Sequence, residues 1–264
     1  MLRIQQIKLP VSHTKEALEK KIRKILKLQE QELVSWTIRR QSLDARKKPE
    51  LFFVYTIDAE VKNESKVLKR VHNNNIMSTK IKPFSYLTIE PDACDSRPVI
   101  VGSGPAGLFC AYYLVKAGFR PIVLERGQDA DMRLKTVEHF WETGELNEES
   151  NVQFGEGGAG TFSDGKLNTL VKDPNGRNQE VLKIFVEAGA PKEILYQQKP
   201  HLGTDALIHI VKNLRGFIEN AGGEVRFSSK VTDIEIHNNK LCAVIVNDSE
   251  RIETDTLVLA IGHS

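Results

Sequence analysis

Val99-Ile-Val-Gly102-Ser-Gly104-Pro-Ala-Gly107 is the stretch on which the reading of the whole chain turns. Pro98 to Val101 is a short apolar, β-prone run. From Pro105 to Gly118 the apolar residues Leu108, Ala111, Tyr112 and Val115 recur on one helical face. Strand, tight turn and helix therefore follow one another directly. Gly102 permits a sharp turn out of the strand, Gly104 lets backbone approach a bound group where a side chain would collide, and Gly107 lets the helix lie close on the sheet. A pyrophosphate fits such a corner, because the first helical N–H groups have no intrahelical partner and the helix dipole favours negative charge there. A second strand, Arg120 to Glu125, ends in an acid 18 residues after Gly107, the spacing of a ribose-hydroxyl acceptor. The bland alternative is a Gly-rich strand–helix turn that holds nothing.

Composition bounds the rest. With 264 residues, 40% hydrophobic and 27% charged, the sequence falls in the globular range and is long enough for two domains. No run of apolar residues reaches the roughly 18 to 20 needed to span a bilayer, and Met1-Leu-Arg-Ile-Gln-Gln has no apolar signal core, so a cytoplasmic protein is expected. Cys94, Cys110 and Cys242 are far apart and odd in number, which argues against a disulfide framework or a dithiol redox pair. Cys110 and Cys242 read as small buried hydrophobes. The net charge of +2 conceals an asymmetry: residues 1–90 hold 19 Lys and Arg against 10 Asp and Glu, residues 91–264 hold 18 against 25. The basic half either meets nucleic acid or an acidic partner, or is a solvated face.

Leu2 to Leu9 reads as a strand ended by Pro10, and Thr14 as the cap of a helix from Lys15 to about Leu28 with Leu18, Ile22, Ile25 and Leu26 inward. Two β runs follow, Trp36 to Leu43 and Leu51 to Val61, then a short helix near Glu64 to Asn73 and a strand near Tyr86 to Ile89. The order β-α-β-β-α-β predicts a ferredoxin-like α+β domain over 1–90, with 91–97 as a polar linker and 98–264 as the second domain. That second domain continues with a helix at Ala130 to Glu142 carrying Met132, Val137, Phe140 and Trp141, and a Gly-rich stretch from Phe154 to Leu167. This stretch is either a flexible surface loop or backbone held tight against a phosphate or flat ring. Helices are expected at Gln179 to Ala188 and, capped by Thr204 with Leu207, Ile208, Val211 and Leu214 inward, at Thr204 to Ala221. Glu224 to Phe227 reads as a third parallel strand. Val231 to Ile236, Leu241 to Val246 and Arg251 to Glu253 read as an antiparallel meander around an Asn238-Asn239 turn. The apolar run from Thr256 is expected in the middle of a parallel sheet covered on both faces.

Taken together, these strings resemble the FAD-binding domain of glutathione-reductase-type flavoproteins. More narrowly, Val101 to Gly107, Gly157 to Leu167, Lys199 to Thr204 and Leu259 to Ser264 are similar to bacterial FAD-dependent dehydrogenases of unassigned substrate, which also begin with a small ferredoxin-like domain. The resemblance implies an α/β fold in which a Rossmann-like FAD-binding domain follows the ferredoxin-like one. It implies that Gly102, Gly104, Pro105, Ala106 and Gly107 line the pyrophosphate, that Glu125 accepts from the adenosine ribose, and that Arg126 lies beside the adenosine. Arg133 would reach the phosphates and the backbone of Val231 the adenine edge. Ala260 and Gly262 would close under the cofactor, and Gly160, Thr161 and Lys166 would approach its ribityl chain or ring. NAD(P)H enters on the same analogy as a candidate electron donor, and the small-molecule substrate stays unassigned. Such relatives continue past the position of Ser264 with segments that complete the flavin site. The sequence is therefore expected to be an N-terminal portion, completed by a further segment or a partner.

Flavin would supply the redox chemistry. No base or acid stands out: His263 and His201 are candidates to tune a flavin or move a proton, and equally ordinary local hydrogen-bonding histidines. The seven histidines form no cluster with Cys or Asp at ligand spacing, so no metal site is expected, and Ser163-Asp164 has no histidine to make a nucleophilic triad. Two rival readings remain. One is a nucleic-acid- or protein-binding module, with the basic domain as its working part and a non-catalytic dinucleotide fold as scaffold. The other is NAD in place of FAD, which the meander and the Ala260-Ile-Gly262 close speak against.

Overall fold

The structure is a computed structural model that describes residues 1–81, 84–86, 96–163, 165–167 and 173–262. The chain divides into two compact units. The first comprises Met1–Phe84, Asn168–Lys183 and Pro191–Pro200, the second Ser85–Leu167, Ile184–Ala190 and His201–Ser264. The second unit is thus not the unbroken 98–264 expected. Part of the reason is hydrogen bonding: Gln41 N–H donates to Tyr196 O (2.7 Å) and Gln198 N–H to Gln41 O (2.8 Å), which fastens 196–198 to a strand edge of the first unit. Residues 91–95 of the expected linker and Cys94 lie outside the described residues.

In the first unit, β1 (Leu2–Pro10), β2 (Leu33–Lys47), β3 (Glu50–Val61) and β4 (Ile76–Ser78) form an antiparallel sheet in the order β2-β3-β1-β4. Helices α1 (Lys15–Leu26) and α2 (Glu64–Arg70) complete the ferredoxin-like order. Period-2 alternation on β1 and β3, with a register shift between Ile4 and Ile7, puts Leu2, Ile4, Ile7, Tyr55, Ile57 and Ala59 on one face, where Leu18, Ile22 and Leu26 of α1 and Val67 of α2 cover them. The Thr14 hydroxyl accepts from Ala17 N–H at 3.3 Å, and α1 stops at Lys27, whose φ of 53° is left-handed. The opposite face of α1, with Lys20, Lys21 and Lys24, is exposed. The closing strand comes earlier than expected: α2 ends at Arg70, and Ile76, opposite Ile4, is already buried. Residues 87–89 of the strand expected there lie outside the described residues.

In the second unit, β5 (Val99–Val101), β6 (Ile122–Leu124), β7 (Glu224–Arg226) and β11 (Leu257–Leu259) form a parallel sheet in the order β11-β5-β6-β7. Its two faces separate by alternation. Val99, Ile122 and Leu124 pack with Val244 and Val246 of the meander β8 (Val231–His237), β9 (Lys240–Val246) and β10 (Glu250–Glu253). Ile100 points the other way, against Gly107 of α3 (Pro105–Lys116). Helices α4 (Ala130–Thr143) and α6 (Thr204–Asn220) belong to this unit, while α5 (Arg177–Glu187) gives its residues up to Lys183 to the first unit and the rest to the second; all three follow in the chain order anticipated.

Three expectations are corrected. The α6 cap is Gly203, not Thr204, and the buried positions are Leu207, Ile210, Leu214 and Ile218, a stripe rotated away from Ile208 and Val211. On α4 the buried positions are Ala130, Arg133 and Val137, while Met132 and Trp141 are exposed. Among the described residues β11 is an edge strand, paired only with β5, and Leu259 is 60% exposed, so its apolar run does not mark a central strand. No helix of the described residues is long and apolar enough to cross a membrane.

Candidate functional site

The carboxyl ends of β5, β6 and β11 open into a cavity of about 580 Å³. It lies where the strand order reverses: the chain leaves β5 towards β6 and β7 on one side and returns as β11 on the other. Open α/β sheets leave a crevice at such a point. Gly102, at φ 99°, makes the turn out of β5, and a Cβ there would stand 2.7 Å from Ala260 O at the end of β11. A Cβ on Gly107 would meet Gly102 O at 1.9 Å, so the first turn of α3 can sit on the strand only because that side chain is missing. Gly104 is different. It caps α3 at φ −66° without any side-chain hydrogen bond, Pro105 follows at the first helical position, and a Cβ would find nothing nearer than 4.0 Å. Its space is open towards the cavity, and the α3 N–H groups face it from below.

Glu125 ends β6 and is 5% exposed. Ser103 N–H (2.8 Å) and the Ser103 hydroxyl (2.7 Å) donate to its Oε2, and Gly127 N–H (2.9 Å) donates to Oε1. A carboxylate has about four acceptor sites, so one remains for a further donor. The acid thereby also fixes the turn that carries Gly102 and Gly104. No side-chain role for Ser103 or Phe154 is legible in the sequence. The first is hidden inside the GxGxxG string, and the second stands just ahead of the glycine run, its ring 4.3 Å beneath the Arg126 guanidinium. Arg126 also pairs with Glu149, Nε to Oε2 at 2.6 Å.

The glycine-rich stretch from 155 is held by Arg133. This guanidinium is fully buried; Nε donates to Asn151 O (2.9 Å), and Nη1 donates to Glu156 O (2.7 Å), Gly158 O (2.9 Å) and Gly155 O (3.3 Å). Burial pushes its pKa down to about 10, against the pull of Glu125 and Glu156. Nη2 is buried with no hydrogen-bond partner among the described residues. The Glu156 carboxyl accepts from Ala130 N–H at 2.7 Å, and its Oε1 lies 2.9 Å from Arg215 Nε as an ion pair outside hydrogen-bond geometry. Burial still pushes the Glu156 carboxyl above its usual range. The loop so fixed reaches the turn: a Cβ on Gly158 would stand 3.2 Å from the Gly104 Cα.

The structure brings Gly102, Gly104, Pro105, Ala106, Glu125, Arg126, Val231, Ala260 and Gly262 into one cavity lining, joined by Gly155, Gly158 and Ala159. Gly107 lies behind it as a packing glycine. Arg133, Gly160, Thr161 and Lys166 are not in the lining. Thr161 is buried and its hydroxyl donates to Glu156 O, so it braces the loop from within, and Lys166 is bridged to His201. The reason is the short 3-10 turn Gly158–Phe162, which carries the chain away from the cavity after Ala159. His201 is exposed, and His263 and Asp164 lie outside the described residues. No group of His, Cys, Asp and Glu suited to a metal ion occurs among the described residues.

A four-stranded parallel sheet with a glycine turn at its switch point and an acid ending the second strand defines an α/β, Rossmann-like dinucleotide-binding domain. Residues 100–169 match the family model of the NAD(P)-binding Rossmann-like domain, and residues 1–60 match a family described only as a domain of unknown function. An uncharacterized protein of Clostridium beijerinckii is 45% identical over 263 residues, a match covering 100% of this chain and 49% of that protein. The chain thus spans about half the length of that curated relative. Among solved structures, THI4 of Thermovibrio ammonificans superposes with a TM-score of 0.39 at 19% identity, covering 64% of this chain and 58% of that one. Thioredoxin reductase of Lactococcus lactis gives 0.34 at 18% identity (62% and 34%), and an FAD-bound form of OTEMO 0.40 at 16% (66% and 26%).

Proposed function

We propose that this chain binds FAD and forms the cofactor-holding part of an FAD-dependent oxidoreductase, a dehydrogenase of a small organic substrate. The observation that carries the reading is the cavity at the switch point, whose open side over Gly104 leaves room for a pyrophosphate against the α3 N-terminus. The residues fit the group. Glu125 keeps one acceptor site for a ribose hydroxyl, Val231 backbone and the Arg126–Phe154 pair flank the adenosine end, and Ala260 and Gly262 floor the far end. The unpartnered Arg133 Nη2 adds positive charge beneath the loop. Apolar Leu259 and Ile261 rim the far end and are 60% and 47% exposed; a further segment or a partner chain covers them around the ring. When bound, the flavin supplies hydride and electron transfer, with NAD(P)H as its electron donor, while the protein binds and orients it.

The test is reconstitution. The purified chain is mixed with FAD, desalted, and its visible spectrum recorded, with NAD and NADP as competitors. Retained flavin bands, unaffected by millimolar nicotinamide nucleotides, are expected. Retention of NAD with exclusion of FAD would assign the cavity to the nicotinamide cofactor instead.

A further inference from the structure

The first unit contains a larger cavity, about 960 Å³, at the open end of its helix-covered sheet face, a size that suits a small-molecule ligand. Its floor is apolar and aromatic: Leu18, Ile38, Phe53 and Tyr55, with Trp36 and Tyr196 as walls. Tyr55 is fixed in place. Its hydroxyl lies 3.3 Å from His13 Nε2 and 3.1 Å from Gln41 Nε2, and the His13 ring packs edge-on at 5.5 Å. His13 Nδ1 is 2.8 Å from Pro10 O, which makes Nδ1 the protonated nitrogen and leaves Nε2 to accept from the tyrosine.

The rim carries four cations, Lys15, Arg39, Lys183 and Lys192. Neither Lys15 nor Lys192 has a carboxylate partner among the described residues; Lys15 lies 5.8 Å from the Trp36 ring. Arg39 shares the single carboxylate of Asp58 with Arg3, at 3.5 and 2.7 Å, and only Lys183 has an acid to itself, Glu180 at 3.2 Å. The one acid in the lining, Glu19, is already committed to Arg23 (2.6 Å) and to the Trp36 indole N–H (3.3 Å). Two of the four rim cations, Lys15 and Lys192, therefore stand beside the aromatic floor without an ion-pair partner among the described residues.

We infer that this cavity is a second ligand site, for a small planar apolar ring system bearing a carboxylate or phosphate. The ring stacks among Trp36, Phe53 and Tyr196, and the anionic group meets Lys15 and Lys192. The inference does not depend on what occupies the glycine-lined cavity of the other unit.

The chain has two tryptophans, so in a Trp141→Phe background Trp36 is the sole reporter. We would titrate that protein with 2-naphthoate, 2-naphthylmethanol and 2-naphthylmethylammonium while following Trp36 fluorescence. Saturable binding of the carboxylate is expected, at least tenfold tighter than the alcohol, with none for the ammonium. Lys192→Gln, an exposed change that leaves the core untouched, should weaken naphthoate by about threefold to fivefold, the size of one exposed ion pair. Added salt should weaken it as well. Equal binding of all three ligands, no saturation by naphthoate, or an unchanged affinity in Lys192→Gln would overturn the inference. In Gly104→Asp the naphthoate affinity should be unchanged, which separates this site from the proposed FAD site.

Discussion

Gly104→Asp and Gly107→Ala should part company, although both alter one glycine motif. At Gly107 the added Cβ would stand 1.9 Å from Gly102 O, a backbone atom that cannot swing aside. The helix must lift from the strand, and overpacking of this kind costs about 3 kcal/mol or more. In a unit of this size that lowers Tm by roughly 6 to 12 °C. At Gly104 the nearest atom to a Cβ is 4.0 Å away, φ is −66°, and the position is the cap of α3, where aspartate is preferred over glycine by a few tenths of a kcal/mol. Tm should hold or rise slightly. Binding should respond the other way round. The new carboxylate occupies the phosphate space, and two like charges about 4 Å apart near a protein surface repel by about 4 kcal/mol, close to a thousandfold in affinity. Thermal unfolding and FAD titration of the two variants and the parent form the assay. A Gly104→Asp protein that binds FAD like the parent, or one that unfolds as readily as Gly107→Ala, would refute the reasoning.

Arg133→Met should cost about 3 to 5 kcal/mol, because three or four loop carbonyls lose their donor and Glu156 keeps one buried cation fewer; proteolytic cleavage within 151–162 and a lowered Tm would report it. Glu156→Gln should alter the pH profile of stability. The folded carboxyl titrates above its unfolded value, so its stabilising contribution is full below about pH 4.5 and is lost as pH rises through the folded pKa. The glutamine variant should lack that decline in denaturant melts run across this interval. Asn239→Gly should stabilise the meander by up to about 1 kcal/mol, since Asn238 and Asn239 sit at φ 49° and 58° in a two-residue hairpin turn that prefers Asn-Gly. A lower midpoint in urea would contradict that turn. Burial raises the Cys110 thiol pKa, so alkylation by iodoacetamide at neutral pH should be slow until denaturant is added, as read by mass spectrometry.

The glycines and the acid were legible because each answers a local demand. Gly102 must turn, Gly107 must admit a helix, and Glu125 must end a strand, and all three demands lie within one βαβ unit. The same holds for Thr14 at its cap and for Asn238-Asn239 at its turn. The helical faces are less legible. On α6 the periodicity allowed several stripes, and only the neighbouring elements selected Leu207, Ile210, Leu214 and Ile218. The resemblance places Gly160, Thr161 and Lys166 at a cofactor, but glycine-rich sequence reports backbone freedom and not direction. The buried guanidinium of Arg133 gives that direction, gathering carbonyls from Asn151 to Gly158 and leaving Gln153 to Gly155, Gly158 and Ala159, but not Gly160 or Thr161, in the cavity lining.

By itself, then, the sequence determined the order of helices and strands and the strand–turn–helix corner, since those follow from propensity, periodicity and steric rules acting over a few residues. Tertiary structure alone decided the rest. It made β11 an edge strand, joined 191–200 to the first unit through Gln41, and gathered the cations Lys15, Arg39, Lys183 and Lys192 around one aromatic floor. Contacts between residues more than a hundred positions apart leave no periodic trace in the chain. They exist only once packing has chosen which surfaces meet.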